Sequence, residues 1–244
     1  MKSLQEKFKV KSYETDLNAR LKLQSLMLLM QEFANLHADR LSFGYDQLME
    51  KGIIWVLSRS HVVFERIPEW REEVQMETWH KGSYKLFGLR DFRMNDSRGE
   101  EIMRATTSWL IIGAQNRRLQ RIEQYFGSDH PSINLVHAIE EPAPKLSTPS
   151  NIKFARSREV DYSDIDMNHH TNNARYMEWA LDGIHSMLPE ESFIKEFIVN
   201  FNAESRIGDM LDHFVCRTEK GAFFEAKRGD ELVVQIEFIF SNVI

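Results

Sequence analysis

The residues best equipped for chemistry crowd into one short stretch: Asp161, Asp164, Asp166, Asn168, His169, His170, Asn172 and Asn173. An imidazole beside carboxylates can exchange protons near neutral pH, which suits general acid–base work on water. The stretch lies just before an apolar-periodic segment that reads as a helix. At such a terminus, unpaired backbone N–H groups and the helix dipole favour developing negative charge. A helix cap needs only one Asp or Asn, and this segment supplies several together with two histidines, so function ranks above capping. Asp164-x-Asp166-x-Asn168 matches the opening of a calcium loop. The match then fails, because His169 stands where glycine is required and Arg175 where glutamate is. Zinc ranks low, since adjacent histidines usually point to different sides. No metal or cofactor is expected.

The elements that must position these groups occur twice. In the first half a strand over residues 8–14 leads into a helix over about 21–41. Its apolar positions Leu26, Met27, Leu29, Met30, Phe33, Ala34 and Leu36 cover more than a narrow stripe, so it should be largely buried. Strands follow around 53–66, 73–80, 84–95 and 101–113. In the second half a strand near 153–160 precedes a helix over about 172–187, and strands near 195–206, 210–218, 222–229 and 232–241 complete it. The last alternates clearly, with Val234, Ile236, Phe238 and Phe240 on one side and Gln235, Glu237 and Ser241 opposite. Between the halves, residues 126–150 read as a linker, rich in proline at 131, 142, 144 and 149.

An offset of 150 residues aligns Asp16-Leu17-Asn18 with Asp166-Met167-Asn168 at the same strand-to-helix junction. With the matching element order, this favours an internal duplication. Arg20 then stands where the second half has His170, and Lys22 where it has Asn172. Function should therefore sit in the second half. The expected division is 1–125, 126–150 and 151–244. A helix wrapped by antiparallel strands is the hot-dog arrangement; two in tandem would give one continuous sheet with two helices packed against it.

Asp166, Asn168, His170, Asn172, Asn173 and Tyr176 fit the pattern Asp-x-Asn-x-His-x-Asn-Asn-x-x-Tyr. In this the chain resembles the acyl–acyl-carrier-protein (acyl-ACP) thioesterases. Further blocks agree: Ile54-Trp55-Val56 with Arg59 and His61, Pro68 and Trp70, Glu77-Thr78-Trp79, Arg104-Ala105-Thr106, Trp109, and Arg117-Arg118-Leu119-Gln120. The resemblance implies an α+β double hot-dog fold and hydrolysis of fatty acyl-ACP to free fatty acid and holo-ACP. The first repeat would hold the acyl chain, with Met27, Met30, Phe33 and Trp55 as candidate lining, and the second would be catalytic. It also implies a glutamate–cysteine pair on a strand, which here reads Glu204-Ser205. Asp166, Asn168, His170 and Glu204 are thus the candidate catalytic residues. Glu204 or His170 would be general base, Asn168 would orient water or the thioester oxygen, and N–H groups at the second helix start would hold the oxyanion. The alternatives are a hot-dog acyl-CoA thioesterase, a hot-dog hydratase and a non-catalytic acyl-binding protein.

Bulk properties agree. A formal net charge of -6 argues against a general nucleic-acid binder. The first twenty residues carry no signal-peptide pattern, and no run approaches a membrane span, so a cytoplasmic location is expected. A single cysteine, Cys216, excludes an internal disulfide and is read as a small core residue. The expected partner is an acyl carrier protein bearing a phosphopantetheine-linked acyl chain, which is acidic and calls for a local basic patch. Two candidates are Arg117, Arg118 and Arg121, and Lys153, Arg156 and Arg158. By analogy the chain would form a homodimer, without nucleic acid or membrane as partner.

Overall fold

The computed structural model describes residues 2–125 and 136–241 and divides the chain into two compact units, Met1–Ala143 and Pro144–Ile244. Residues 126–135 of the expected linker, with Pro131, lie outside the described residues.

In the first unit β1 (Leu4–Lys9) leads through a 3₁₀ turn at Ser12–Glu14 into α1 (Leu23–Arg40), followed by α2 (Tyr45–Glu50). Then come β2 (Ile53–Phe64), β3 (Glu73–Tyr84), β4 (Phe87–Asn95), β5 (Glu101–Gly113) and the short β6 (Leu119–Gln120). The strand order is β1-β3-β4-β5-β2, with β6 beside β5, all antiparallel. α1 buries Leu23, Leu26, Met27, Met30, Phe33 and Ala34, and Phe33 meets Phe8 of β1 edge to face. Trp55 packs on a second cluster built from Ala38, Phe43, Leu48, Ile53, Ile111 and Ile122.

The second unit repeats this plan. β7 (Lys153–Glu159), a 3₁₀ turn at Tyr162–Asp164 and α3 (Asn173–Ile184) precede β8 (Ile194–Phe201), β9 (Met210–Arg217), β10 (Gly221–Arg228) and β11 (Glu231–Phe240). Its order, β8-β11-β10-β9-β7, matches that of the first unit strand for strand, again antiparallel. Each unit is one helix against five principal antiparallel strands, a hot-dog repeat.

Two sequence expectations shift. The strand placed at 8–14 lies at Leu4–Lys9, because the Lys11 N–H bonds the Glu14 carboxylate at 2.8 Å and turns the chain. The strand drawn over 195–206 stops at Phe201, so Glu204 and Ser205 stand in the loop that follows rather than on a strand. On the polar side of β11, which the alternation leaves unassigned to core or solvent, Gln235 and its neighbour Glu225 are buried beneath Thr148, which donates to Glu225 at 2.6 Å and accepts from Gln235 at 2.9 Å. Asn200 holds the same stretch, donating to the Pro144 carbonyl and accepting from Leu146 N–H. In the first unit, Trp79 and Lys81 donate to the carbonyls of Val136 and Ile139, and Asp91 accepts from Ala138 N–H. Cys216 sits in a core cluster with Leu146, Ile198 and Phe223.

Candidate active site

The turn between β7 and α3 shows what each residue of the polar segment does. Asp166 N–H bonds the His170 carbonyl at 3.0 Å, and His169 N–H returns to the Asp166 carbonyl at 3.0 Å. Asp166 Oδ1 accepts from Asn168 N–H at 2.9 Å, an Asx-turn. His169 takes the left-handed conformation, φ 61°, and is exposed, whereas His170 turns inward. The adjacent imidazoles thus diverge. Asn172 caps α3 through its side chain, accepting from Ala174 N–H at 2.9 Å, while its Nδ2 reaches Asp166 Oδ2 at 3.5 Å.

The first unit makes the same turn with different chemistry. Asp16 accepts from Asn18 N–H at 2.8 Å and from Arg20 N–H at 2.9 Å, and Ala19 has φ 58°. Leu21 N–H reaches the Pro68 carbonyl as Thr171 N–H reaches that of Ser205, both at 2.8 Å. This match pairs Ile67 with Glu204. The aspartate shared by both halves therefore shapes a turn, which explains its presence in a unit without an imidazole there. What the second unit adds is His170 and Glu204.

Those two meet. His170 Nε2 lies 2.9 Å from Glu204 Oε2, with side chains 17% and 34% exposed. With Glu204 ionised it can only accept, so Nε2 carries the hydrogen of this contact. Glu204 keeps more access to water than a fully desolvated base would. Of the four candidates, the structure thus joins His170 to Glu204 directly. Asp166 lies behind them in the turn, and Asn168 gives its backbone N–H to Asp166 and leaves its side chain exposed. The oxyanion donors expected at the helix start are largely committed: Asn172 N–H bonds the Asp164 carbonyl, Arg175 N–H the Asn172 carbonyl, and Ala174 N–H the cap.

Two features escaped the sequence. Asp164 is buried, at 2% exposure, and Arg158 clamps both its oxygens at 3.2 and 3.3 Å. Asp161 N–H adds a bond of 2.9 Å, and Arg175 Nε stands 3.9 Å away. Arg158 also lies over the Trp179 ring, and Trp179 stacks on the buried His213. Burial, with Arg156 and Arg158 nearby, pushes His213 down to about 4. Six residues separate Arg158 from Asp164, and no local pattern announces the pair. The second feature is the setting of Ser205, at the position where the family carries cysteine. It is fully buried, and its Oγ lies 2.7 Å from both Thr171 Oγ1 and Tyr176 OH. Burial raises the Tyr176 pKa, and its bond to Ser205 opposes that. Ser205 thus belongs to a closed hydroxyl cluster beneath α3.

Among the described residues, no group of three or more His, Cys, Asp or Glu is arranged to hold a metal ion, and no helix is long and apolar enough to cross a membrane.

Two hot-dog repeats in tandem, with a histidine–carboxylate pair at the turn of the second where the first has Arg20 and Ile67, define a class of double-repeat proteins. The sequence model of the acyl-ACP thioesterase N-terminal domain matches residues 1–128, and that of the C-terminal domain matches 148–238. The chain belongs to the acyl-ACP thioesterase family. It is 29% identical over 227 residues to oleoyl-acyl carrier protein thioesterase 2, chloroplastic, of Arabidopsis thaliana, covering 86% of this chain and 62% of that protein. A palmitoyl-acyl carrier protein thioesterase of Gossypium hirsutum is 32% identical, over 72% of this chain and 46% of its own length. The chain thus spans under two thirds of these plant relatives. Among solved structures, an acyl-ACP thioesterase of Bacteroides thetaiotaomicron superimposes with a TM-score of 0.89 at 30% identity, covering 98% of both chains. The 12:0-ACP thioesterase of Umbellularia californica shares the fold, with a TM-score of 0.84 at 24% identity over 98% of this chain and 96% of that one.

Proposed function

We propose that this chain hydrolyses fatty acyl thioesters carried on acyl carrier protein, giving the free fatty acid and the carrier thiol. The observation that carries the reading is the 2.9 Å contact of His170 with Glu204, a base pair present in one repeat and replaced by Arg20 and Ile67 in the other. Family membership supplies the substrate class: the relatives named above are thioesterases of acyl-ACP.

Water attacks the thioester carbonyl while the His170–Glu204 pair takes its proton. The carbon–oxygen bond forms, the carbon–sulfur bond breaks, and the sulfur leaves as a thiolate, which the transferred proton then neutralises. A thiol pKa near ~8.5 makes that departure easy, so activation of water is the harder task. Asp166 acts as a positioning residue, through the turn and Asn172. Asn168, exposed beside the turn, is the side chain able to meet the thioester oxygen or the water. No step passes through Ser205, and its buried hydroxyl cluster makes the missing family cysteine compatible with activity.

The test is thiol release from acyl-ACP and matched acyl-CoA substrates, with pH–rate profiles of Glu204→Gln and His170→Ala. Each variant should lose roughly 10²- to 10⁴-fold in kcat, and the limb of the profile that disappears identifies which group holds the proton. Near wild-type turnover in both would sink the assignment. By analogy with paired hot-dog sheets the chain works as a homodimer, a point that sedimentation analysis would check.

A further inference from the structure

Two basic clusters stand out along the sequence, and their side chains are used very differently. In the second unit Arg158 is committed to Asp164, and Arg156 lies 3.5 Å from Asp182. In the first unit Lys85, Arg118 and Arg121 are all exposed, and none forms an ion pair with a carboxylate among the described residues. Lys85 occupies the tip of the β3–β4 hairpin in a left-handed conformation, φ 55°, with its ammonium 5.1 Å from the Tyr84 ring. It lines an open depression of about 550 Å³ with Leu86, Arg121, Glu123 and Gln124. Around this cationic rim, Tyr84, Leu86 and Leu119 are 49%, 38% and 47% exposed.

This combination is unusual for a chain of net charge -6. Elsewhere guanidinium groups are largely spent on carboxylates, as Arg66 is on Glu72, Arg98 on Glu100 and Arg228 on Glu231. Solvated cations around apolar side chains form the mixed surface that recognises an acidic protein helix, where charge steers the encounter and the apolar contacts hold it. Glu123 is the one acid lining the depression.

We propose that the Lys85–Arg121 depression of the first unit, with the exposed Arg118 close by in the chain, is where the acidic acyl carrier protein docks. The proposal rests on the thioesterase reading for its partner but not for its test. Charge complementarity selects the occupant: the acidic protein surface of the carrier is attracted to this rim, whereas free acyl-CoA brings no protein surface to dock.

The experiment uses the full chain and a carrier protein loaded with a non-hydrolysable acyl-pantetheine amide, with binding read by fluorescence anisotropy at low and at 0.5 M salt. Wild type should bind, and added salt should weaken the complex. The pair of variants Arg118→Glu and Arg121→Glu should each weaken binding at least 10-fold and raise KM for acyl-ACP. Thiol release from the matched acyl-CoA should stay within twofold in both, which also shows that the variants are folded. Lys153→Glu, on the other cluster, should leave carrier binding unchanged. Unaltered binding by the charge-reversed chains, or equal losses with both substrates, would overturn the proposal. Salt-sensitive carrier binding without thiol release from any substrate would uphold this surface and reject the hydrolase reading instead.

Discussion

Replacing Ser205 by alanine removes one hydroxyl and, with it, two hydrogen bonds of 2.7 Å, to Thr171 Oγ1 and Tyr176 OH. The site is fully buried, so water does not step in to replace them. At about 1 kcal/mol of net stability per bond, the loss is about 2 kcal/mol. For a chain of this size each kcal/mol lowers Tm by roughly 2–4 °C, so a fall of about 4–8 °C is expected in a thermal scan. Thiol release measured well below that Tm should change less than twofold, because Ser205 takes no part in the His170–Glu204 contact. Ser205→Cys restores the thiol seen in the family. It should lose less stability than alanine, since sulfur is a weak hydrogen-bonding group, and it should gain no activity. Wild type treated with iodoacetamide controls for Cys216, which is buried. The reasoning is refuted if Ser205→Ala loses 100-fold in kcat with an unchanged Tm, or if Ser205→Cys turns over faster and becomes sensitive to alkylation.

Two other outcomes follow from buried charged and titratable groups. Arg158→Ala strips the clamp from a buried carboxylate and should cost about 3 kcal/mol, with a fall in kcat as the turn loosens. Lys153→Ala, exposed on the same strand, should leave denaturant midpoint and kcat alone. Stability should also fall as pH drops from 6.5 toward 4. His213 is held neutral by burial with a pKa of about 4, and His37, buried in α1 beside Arg90, is lowered to about 3. Above pH 6.5 both are neutral in the folded and unfolded chains and contribute no slope. Between 6.5 and 4 the unfolded chain binds two protons that the folded chain refuses, so unfolding is favoured by about 4 kcal/mol at pH 5. Urea unfolding at pH 7 and pH 5 measures this, and a flat profile would contradict it.

The repeat was legible because both halves keep the same period-two strands and the same Asp-x-Asn junction. β11 and β5 fall within a residue or two of where alternation places them. α2 was not foreseen, being one turn of Tyr45–Glu50 with no second apolar period to announce it. The strand boundaries that failed did so where side chains redirect the backbone, as Glu14 does after Lys11. At the site, the sequence could bring forward His170 and Glu204 but not their distance, since 33 residues, including α3 and β8, lie between them. It also grouped Asp166 with the catalytic candidates, on the family pattern. The structure shows its carboxylate engaged by the Asn168 N–H, a use that Asp16 shares. The Arg158–Asp164 clamp was invisible for the opposite reason: a basic residue in an exposed-looking strand reads as surface until its partner's burial is known.

The twin turns carry a lesson about how such a protein changes over time. In both repeats the backbone path is secured by an aspartate, a left-handed residue three positions after it and one bond to a neighbouring loop, at Pro68 or Ser205. None of these involves the imidazole. A mutation that erased histidine from one copy would therefore have left its folding intact. It would have freed that copy's side chains to drift toward another task while its twin kept the His170–Glu204 contact. The same independence makes the idle turn a ready socket for engineering. Histidine at Arg20 and glutamate at Ile67 would be set into a loop already bent to receive them.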